Sequence, residues 1–317
     1  NKGVVTAGSP YAAEIGADIL RRGGNAADAA IATALALAVA DPANNSLFGR
    51  CQILVRATDG TCKAIDGASE APTATPPLDN DTDIRSGFRT APIPGLPRAL
   101  ELLHAAHGQT PLADVVAPAA RLAEDGFEPP AHLAKIWATY AEQLRSDPAT
   151  RRAYLGEEDA PRNSPKHFRH PRLARLIRSF GAHGAAALME GEIAVGLARS
   201  VADSGGYWSE SDLAAYGARD GEVVQGRFRD CEVVTIGRQG WGHSLIEMLS
   251  ILDAQPAFGW HLTADEAERL LLTFLCVFSD RPQIVGTLKP KPFALPYETL
   301  IDRDFAERRA AQIEDIL

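Results

Sequence analysis

The sequence predicts a layered α/β fold built by residues 1–317 as one unit, with sheet at both ends of the chain and a helical middle over about residues 96–216. Two observations predict this fold. Short runs rich in β-branched residues lie towards both ends, and the residues between them carry apolar side chains at three- and four-residue spacing. Strands separated by helical runs of this length favour sheets covered by helices over a bundle of helices. With 45% apolar residues, the chain is able to bury a large core.

The beginning of the chain predicts one strand and two helices. Residues 4–8 form a short apolar run typical of a buried strand, and Ser9-Pro10 then supplies an N-cap and a proline at the first helical position. A glycine pair ends that helix, and Asn25 caps a second helix over Ala26–Ala40. Because the second helix is apolar on nearly every side, we expect other elements to cover it all round.

The rest of the chain predicts a hairpin, a helical stretch, a second pair of strands and three final helices. Residues 52–57 and 62–66, joined through an Asp-Gly turn, have the pattern of a β-hairpin. Helical spacing with caps or glycine stops predicts helices at residues 96–108, 111–127, 171–180 and 211–219. Two strands are predicted at 222–228 and 231–236. The last helices are predicted around Ser244–Asp253, around Asp265–Ser279 and in a pattern through Leu317.

The composition excludes several functional classes. A net charge of −9 argues against nucleic-acid binding, which needs a concentrated basic face. The longest apolar stretch, Ala29–Ala40, is shorter than the roughly 20 residues that span a bilayer, so no membrane partner is expected. The four cysteines show no CxxC pair and are expected to be reduced. The chain opens without a charged and apolar leader, so a cytoplasmic location is expected unless a leader for the periplasm or for secretion has been removed.

The usual catalytic motifs are missing from the sequence. It has no GxSxG, no Walker loop, no HExxH and no dinucleotide fingerprint, so no cofactor is expected. His167 and His170 have a metal-like spacing, but the basic residues around them repel a cation, so we expect a solvated loop and no metal. His243 and Ser244 are adjacent on a predicted helix and point in different directions, so Ser244 is expected to begin that helix rather than to act as a nucleophile.

Two arginines are better candidates for ligand binding. Arg50 follows Gly49 at the beginning of a predicted strand, and Arg238 lies in a GRQGWG segment between a strand and a helix. Such edges are where α/β proteins place ligands, and a planar guanidinium suits a carboxylate. We expect both loops to converge near a substrate pocket, while a role as ordinary surface charge stays open for each.

Several segments together resemble a known family. The core ILRRGGNAADAA is followed, in the order found in that family, by AIDGASEAP, TPLADVVAPAARLAEDGF, GGYWSESDLAAY, RFRDCEVVTIG and SLIEMLSILD. The pattern resembles the large, N-terminal subunit of γ-glutamyltransferases over almost the whole chain. The resemblance implies the four-layered αββα sandwich of the N-terminal-nucleophile hydrolases, made as a precursor that cuts itself and completed by a small subunit on a separate chain.

The resemblance also implies where catalysis occurs. In this family the threonine at the new N-terminus of the small subunit attacks a carbonyl, with its own α-amine as the base. No catalytic residue is therefore expected in the present chain, and its expected partners are that small subunit and a small-molecule substrate. In the segment AIDGASEAP, the position that matches the carboxylate-binding arginine of the family is Ala68, followed by Ser69. A methyl group cannot replace a charged contact worth about 1.5–3 kcal/mol.

These departures predict an unusual substrate. The leading hypothesis is a γ-glutamyltransferase-like hydrolase or acyltransferase that cleaves an amide or another acyl bond and binds its substrate near Arg50, Ala68, Ser69 and Arg238. Similar enzymes include amidohydrolases of small acids and bacterial enzymes of antibiotic biosynthesis that cleave a carbon–carbon bond. One alternative is a true γ-glutamyl transferase or hydrolase that uses a relocated arginine. Another is an inactive homologue that acts as a binding protein.

Overall fold

The computed structural model describes residues 3–77, 87–155, 168–259, 261–281 and 295–317. The chain divides into two compact units, the first formed by Asn1–Cys51 with Gly67–Ala218 and the second by Gln52–Asp66 with Arg219–Leu317. The prediction that the whole chain behaves as one unit stays a prediction. None of the described helices is long and apolar enough to cross a bilayer.

The first unit is helical in its described residues. Its helices are α1 (Pro10–Arg21), α2 (Ala26–Ala40), α3 (Leu96–His107), α4 (Leu112–Asp125), α5 (Ala131–Thr139), α6 (Ala141–Ser146), α7 (Pro148–Tyr154), α8 (Pro171–His183), α9 (Ala186–Met189), α10 (Gly191–Asp203) and α11 (Glu210–Ala215). Helix α2 lies in the core of the unit, with most of its side chains buried on all sides, as its composition predicted.

A capping box begins α2 and ties it to the chain before α4. The Asn25 side chain accepts a 3.0 Å hydrogen bond from the backbone of Asp28, whose carboxylate accepts one of 3.1 Å from the backbone of Asn25. The same Asp28 carboxylate is fully buried and also accepts hydrogen bonds from Gln109 and Thr110. A buried charge with this many donors is stabilised rather than costly.

The second unit contains two small sheets and four helices in its described residues. Strands β1 (Cys51–Arg56), β2 (Cys62–Gly67) and β3 (Arg219–Gly221) form one sheet in that order, with Ile65 of β2 opposite Asp220 of β3. Strands β4 (Val223–Phe228) and β5 (Cys231–Ile236) form an antiparallel pair. The helices are α12 (Gly242–Asp253), α13 (Ala264–Asp280), α14 (Tyr297–Leu300) and α15 (Arg303–Glu314). An apolar core joins α12, α13 and α15 through Ile251, Val277, Ala306, Ala310 and Ile313.

The predicted strand at residues 4–8 is wrong for the described chain. These residues form no strand, and Val4 is 92% exposed. An apolar run becomes a strand only where a neighbouring strand satisfies its backbone groups, and no described strand pairs with it. The helix predicted after Ser9 is present, although the Ser9 hydroxyl makes no capping hydrogen bond to it.

Candidate functional site

The turn after α2 is fixed by side-chain hydrogen bonds. Asp41 follows the last residue of α2, and its carboxylate accepts hydrogen bonds of 3.0 Å from the side-chain amides of Asn44 and Asn45. These bonds form because the two amides follow the carboxylate at a spacing that a tight turn brings together. The turn leads the chain directly to Arg50.

The backbone before Arg50 is anchored, whereas its side chain is exposed. The carbonyl oxygen of Gly49 accepts hydrogen bonds of 2.9 and 3.0 Å from the backbone N–H groups of Gly95 and Leu96, where α3 begins. The Arg50 guanidinium makes no hydrogen bond or ion pair with any residue in the described ranges. It lines a cavity of about 510 Å³ beside the turn. An unpaired guanidinium at a cavity is suited to bind a carboxylate through two parallel hydrogen bonds.

Ala68 and Ser69 lie on a rigid segment after β2. The carbonyl oxygen of Ala68 accepts a 2.6 Å hydrogen bond from the hydroxyl of Tyr216. The preceding Gly67 packs so closely against α3 that a Cβ added there would lie 2.5 Å from the Cβ of Ala99. The side chains of Ala68 and Ser69 are half-buried. The position that holds an arginine in the family therefore presents a methyl group on a backbone with little freedom to shift.

The Arg50 segment and the Ala68 segment share one anchor. Gly95, at the beginning of α3, donates its N–H to Gly49 and lies directly against Gly67. The first unit thus brings three of the four predicted binding residues onto neighbouring segments. Whether these residues bind substrate stays a prediction.

Arg238 has partners in the second unit. It lies in a short 3₁₀ turn after β5, with its Nε 3.7 Å from a carboxylate oxygen of Glu222 and its terminal nitrogen 3.9 Å from one of Glu298. Its guanidinium also lies 4.9 Å from the ring centre of Tyr297. These three groups compete with any anionic ligand for the guanidinium. Convergence of this loop with the Arg50 loop stays a prediction.

His243 and Ser244 do not form a nucleophilic pair. Helix α12 begins at Gly242, two residues before the predicted position, and Ser244 lies buried in its first turn. The His243 ring is buried with Nε2 3.5 Å from Glu222, and no hydrogen bond joins it to Ser244 in the part of the chain that the structure describes. Burial lowers the pKa of His243, while the carboxylate of Glu222 opposes that shift.

The metal-like histidine pair has a structural role where it is described. His167 lies outside the described residues. The Nδ1 of His170 accepts a 3.1 Å hydrogen bond from the backbone of Leu173 and so caps α8. Within the described ranges, no group of three or more histidine, cysteine, aspartate or glutamate side chains is arranged to hold a metal ion.

Sequence reasoning missed a buried carboxyl group in α12. Glu247 is fully buried, and neither of its carboxylate oxygens forms a hydrogen bond with a described residue. Burial, and then the nearby carboxylate of Asp280, raise the pKa of Glu247 to about 9. Asp280 itself is bound by the guanidinium of Arg309, with Nε at 2.8 Å. One signal was visible in the sequence, since Glu247 interrupts the apolar run SLIEMLSILD.

Solved structures place this fold among known enzymes. The γ-glutamyltranspeptidase of Helicobacter pylori matches with a TM-score of 0.91, covering 99% of this chain and 92% of that chain at 23% sequence identity. The chain therefore has the α/β fold of the N-terminal-nucleophile hydrolases. A model of the γ-glutamyltranspeptidase family matches residues 12–316. The chain belongs to the γ-glutamyltranspeptidase family, and the resemblance found in its sequence is confirmed.

Curated relatives extend beyond this chain. The glutathione hydrolase proenzyme of Escherichia coli is 28% identical over 327 residues, which cover 99% of this chain and 55% of the relative. The acylase ACY 1 proenzyme of a Pseudomonas species is 31% identical over 330 residues, which cover 99% of this chain and 59% of the relative. The chain thus spans a little more than half the length of these two relatives, both of which are named as precursors.

Proposed function

We propose that this chain is the large-subunit part of a self-processed hydrolase or acyltransferase that cleaves an amide or another acyl bond of a substrate other than an ordinary γ-glutamyl peptide. Membership of the γ-glutamyltranspeptidase family supports the reaction class. The names of the relatives support both glutathione hydrolysis and acyl removal as chemistry available to this family. The observation that carries the substrate proposal is Arg50, whose guanidinium has no partner among the described residues and whose backbone is anchored beside a segment that presents Ala68.

The proposed reaction proceeds in two steps on the small subunit. The hydroxyl oxygen of an N-terminal threonine attacks the carbonyl carbon while the α-amine of that threonine takes the hydroxyl proton. The bond to the leaving group breaks, the leaving group takes up the proton, and an acyl-threonine ester remains. Water or an acceptor amine then attacks the ester and releases the acyl group. The same ester forms if the broken bond joins the carbonyl to carbon, so the proposal includes substrates of antibiotic biosynthesis.

An apolar face of α13 supports a small subunit from the same precursor as the partner. Four large apolar side chains recur at helical spacing on α13, and each is between 41% and 58% exposed: Leu271, Phe274, Leu275 and Phe278. Such a stripe on one face of a helix is typical of a surface that another polypeptide covers. We propose the small subunit as its occupant, because the precursors of the relatives extend well beyond the part matched here. A cytoplasmic location belongs to the proposal and is supported by the low cysteine content of the chain, four residues in 317.

A second candidate function is a true γ-glutamyl transferase or hydrolase. The guanidinium of Arg50, which has no partner within the described ranges, favours it, because an arginine on a neighbouring segment is able to hold the α-carboxylate in place of the missing one at position 68. The two candidates differ in the acyl donors that they accept.

Mass spectrometry of the purified full-length gene product tests the proposal. We expect a second chain that begins with threonine and gains the mass of the acyl group when a good donor is added. A donor screen with γ-glutamyl, aliphatic and aromatic acyl amides then separates the two candidates. An unprocessed precursor, or a second chain that begins with a residue other than threonine, serine or cysteine, would overturn the enzyme proposal and favour a binding protein.

A further inference from the structure

Two cavities of the first unit adjoin at the turn after α2. The first, which we call the arginine cavity, has a volume of about 510 Å³ and includes Arg50 in its wall. The second, which we call the aromatic cavity, also has a volume of about 510 Å³ and is lined by Trp137, Tyr140 and Tyr154 of α5–α7 and their surroundings. Pro42, Ala43 and Asn44 line both cavities. Each volume lies within the roughly 300–1,000 Å³ of sites that bind small molecules.

The wall of the aromatic cavity is pre-formed. Trp137 is buried, and its ring centre lies 6.2 Å from that of Tyr154 and 5.0 Å from that of Phe168. The rings of Tyr154 and Phe168 are stacked with their centres 5.7 Å apart. Tyr140 lies at the edge of the cavity and is 52% exposed. Rings locked against each other in this way present a fixed apolar surface, which suits an aromatic or aliphatic group better than water.

We infer that the substrate is an amphipathic acyl donor, with an apolar or aromatic group in the aromatic cavity and an anionic group bound by Arg50. The claim that this ligand is an acyl donor rests on the proposed function, whereas the claim that it binds in the two cavities does not. The charge in the arginine cavity selects the anionic group, because no described residue neutralises that guanidinium. The aromatic rings select the other end of the ligand. Because Pro42–Asn44 line both cavities, we expect the anionic group and the apolar group to belong to one ligand molecule.

Equilibrium binding to the processed full-length protein tests this inference with three probes. The probes are 4-phenylbutyrate, butyrate, which lacks the ring, and 4-phenylbutan-1-ol, which lacks the charge. In calorimetric titrations we expect 4-phenylbutyrate to bind at least about tenfold more tightly than either of the others. Equal affinities for 4-phenylbutyrate and butyrate would overturn the inference.

Variants assign the two contributions to the two cavities. Tyr140→Ala and Leu144→Ala change residues that line the aromatic cavity and not the arginine cavity. Each should reduce the advantage of 4-phenylbutyrate over butyrate, whereas Tyr140→Phe should retain it. Arg50→Ala should abolish the tighter binding of 4-phenylbutyrate relative to 4-phenylbutan-1-ol. Arg175→Ala is the control and should retain it, because Arg175 is an exposed arginine of α8 without an ion pair to a described residue. Thermal melting of each variant identifies those that have lost their fold. If folded Tyr140→Ala and Leu144→Ala variants bind all three probes unchanged, the aromatic cavity is not the site.

Kinetics separate the failure of this inference from the failure of the proposed function. Donors without an apolar group that are cleaved as efficiently as aromatic ones would overturn the inference and leave the reaction proposal intact. Selective binding of 4-phenylbutyrate by a protein that cleaves no donor would support the ligand-binding inference and contradict the proposed reaction.

Discussion

The Arg50 segment and the Arg238–Glu247 segment treat charge in opposite ways. Arg50 follows an anchored glycine and has no described partner, whereas Arg238 lies near two carboxylates and a tyrosine ring. Glu247, nearby on α12, is buried and holds a proton at neutral pH. The two arginines share a local pattern, a glycine followed by arginine at a loop. They differ in availability because the partners of Arg238 include a residue distant in the sequence. The first segment is suited to ligand binding and the second to holding its unit together.

The largest expected effect concerns glutathione. Because Ala68 offers no guanidinium, we expect a catalytic efficiency for glutathione below about 10⁴ M⁻¹s⁻¹, the lower end of the ordinary enzyme range. Ala68→Arg should raise that efficiency by about 10- to 100-fold, the equivalent of a charged hydrogen-bonded contact. Steady-state kinetics on the processed wild type and variant measure both values. Ala68→Leu is the matched control, since it adds bulk without charge. Efficient turnover of glutathione by the wild type would mean that Arg50 or another residue already holds its carboxylate.

Arg50→Ala should lower the catalytic efficiency for the preferred anionic donor by more than about tenfold, or about 1.4 kcal/mol. The catalytic efficiency of Arg50→Lys should lie between those of Arg50→Ala and the wild type, because lysine keeps the charge and loses the fork geometry. Self-processing and the melting temperature should not change, since the side chain has no described partner. Processing gels, melting curves and kinetics on one preparation measure all three. Loss of processing with normal kinetics of the processed fraction would instead assign Arg50 to the fold.

Glu247→Gln should remove a pH dependence of stability from the second unit. The pKa of Glu247 is raised from 4.5 to about 9, so the folded protein keeps a proton that the unfolded chain loses between those values. The stabilising contribution is therefore complete below pH 4.5 and declines, by on the order of 1 kcal/mol per pH unit, as the pH rises towards 9. Urea unfolding of wild type and variant from pH 5 to 9 should show the two diverging, with the variant more stable at alkaline pH.

An exposed glutamate provides the control for that series. Glu268→Gln, on α13, should follow the wild type at every pH, because this side chain is exposed and has no described partner. If Glu247→Gln also follows the wild type throughout, Glu247 is ionised in the folded protein and the assignment of a buried proton is wrong.

Arg238→Ala should have the smallest effect. The half-exposed ion pairs of Arg238 are expected to contribute about 0.5 kcal/mol to stability. Because the guanidinium is occupied by these partners, its removal should change the catalytic efficiency by less than about threefold. Arg56→Ala, an exposed arginine of the same unit without an ion pair to a described residue, is the control for stability. A loss of activity as large as that of Arg50→Ala would show that substrate displaces the carboxylates, and the contrast between the two segments would disappear.

Local signals made much of the fold predictable. The capping boxes at Asn25 and Thr263 place the beginnings of α2 and α13 through residues three positions apart, and a short turn sets the hairpin of β1 and β2. The run at residues 4–8 failed as a strand because a strand depends on a neighbour elsewhere in the chain.

The candidate site was less predictable for the same reason. Arg50 was found from its place at the beginning of a predicted strand and Ala68 from a family pattern. The partners of Arg238, by contrast, include Glu298, which is far away in the sequence. The burial of Glu247 depends on how α13 and α15 pack against α12, and the aromatic cavity depends on helices whose sequences carry no recognisable motif. Side-chain environments are set by packing, which periodicity alone does not specify.

The hydrogen bond from Tyr216 to Ala68 makes the path of this loop independent of the side chain that the loop presents. The tyrosine holds the carbonyl oxygen of residue 68, and the close packing of Gly67 holds the backbone before it. Neither restraint involves the side chain at position 68. A substitution at position 68 therefore changes the side chain that the loop presents and leaves both backbone restraints in place.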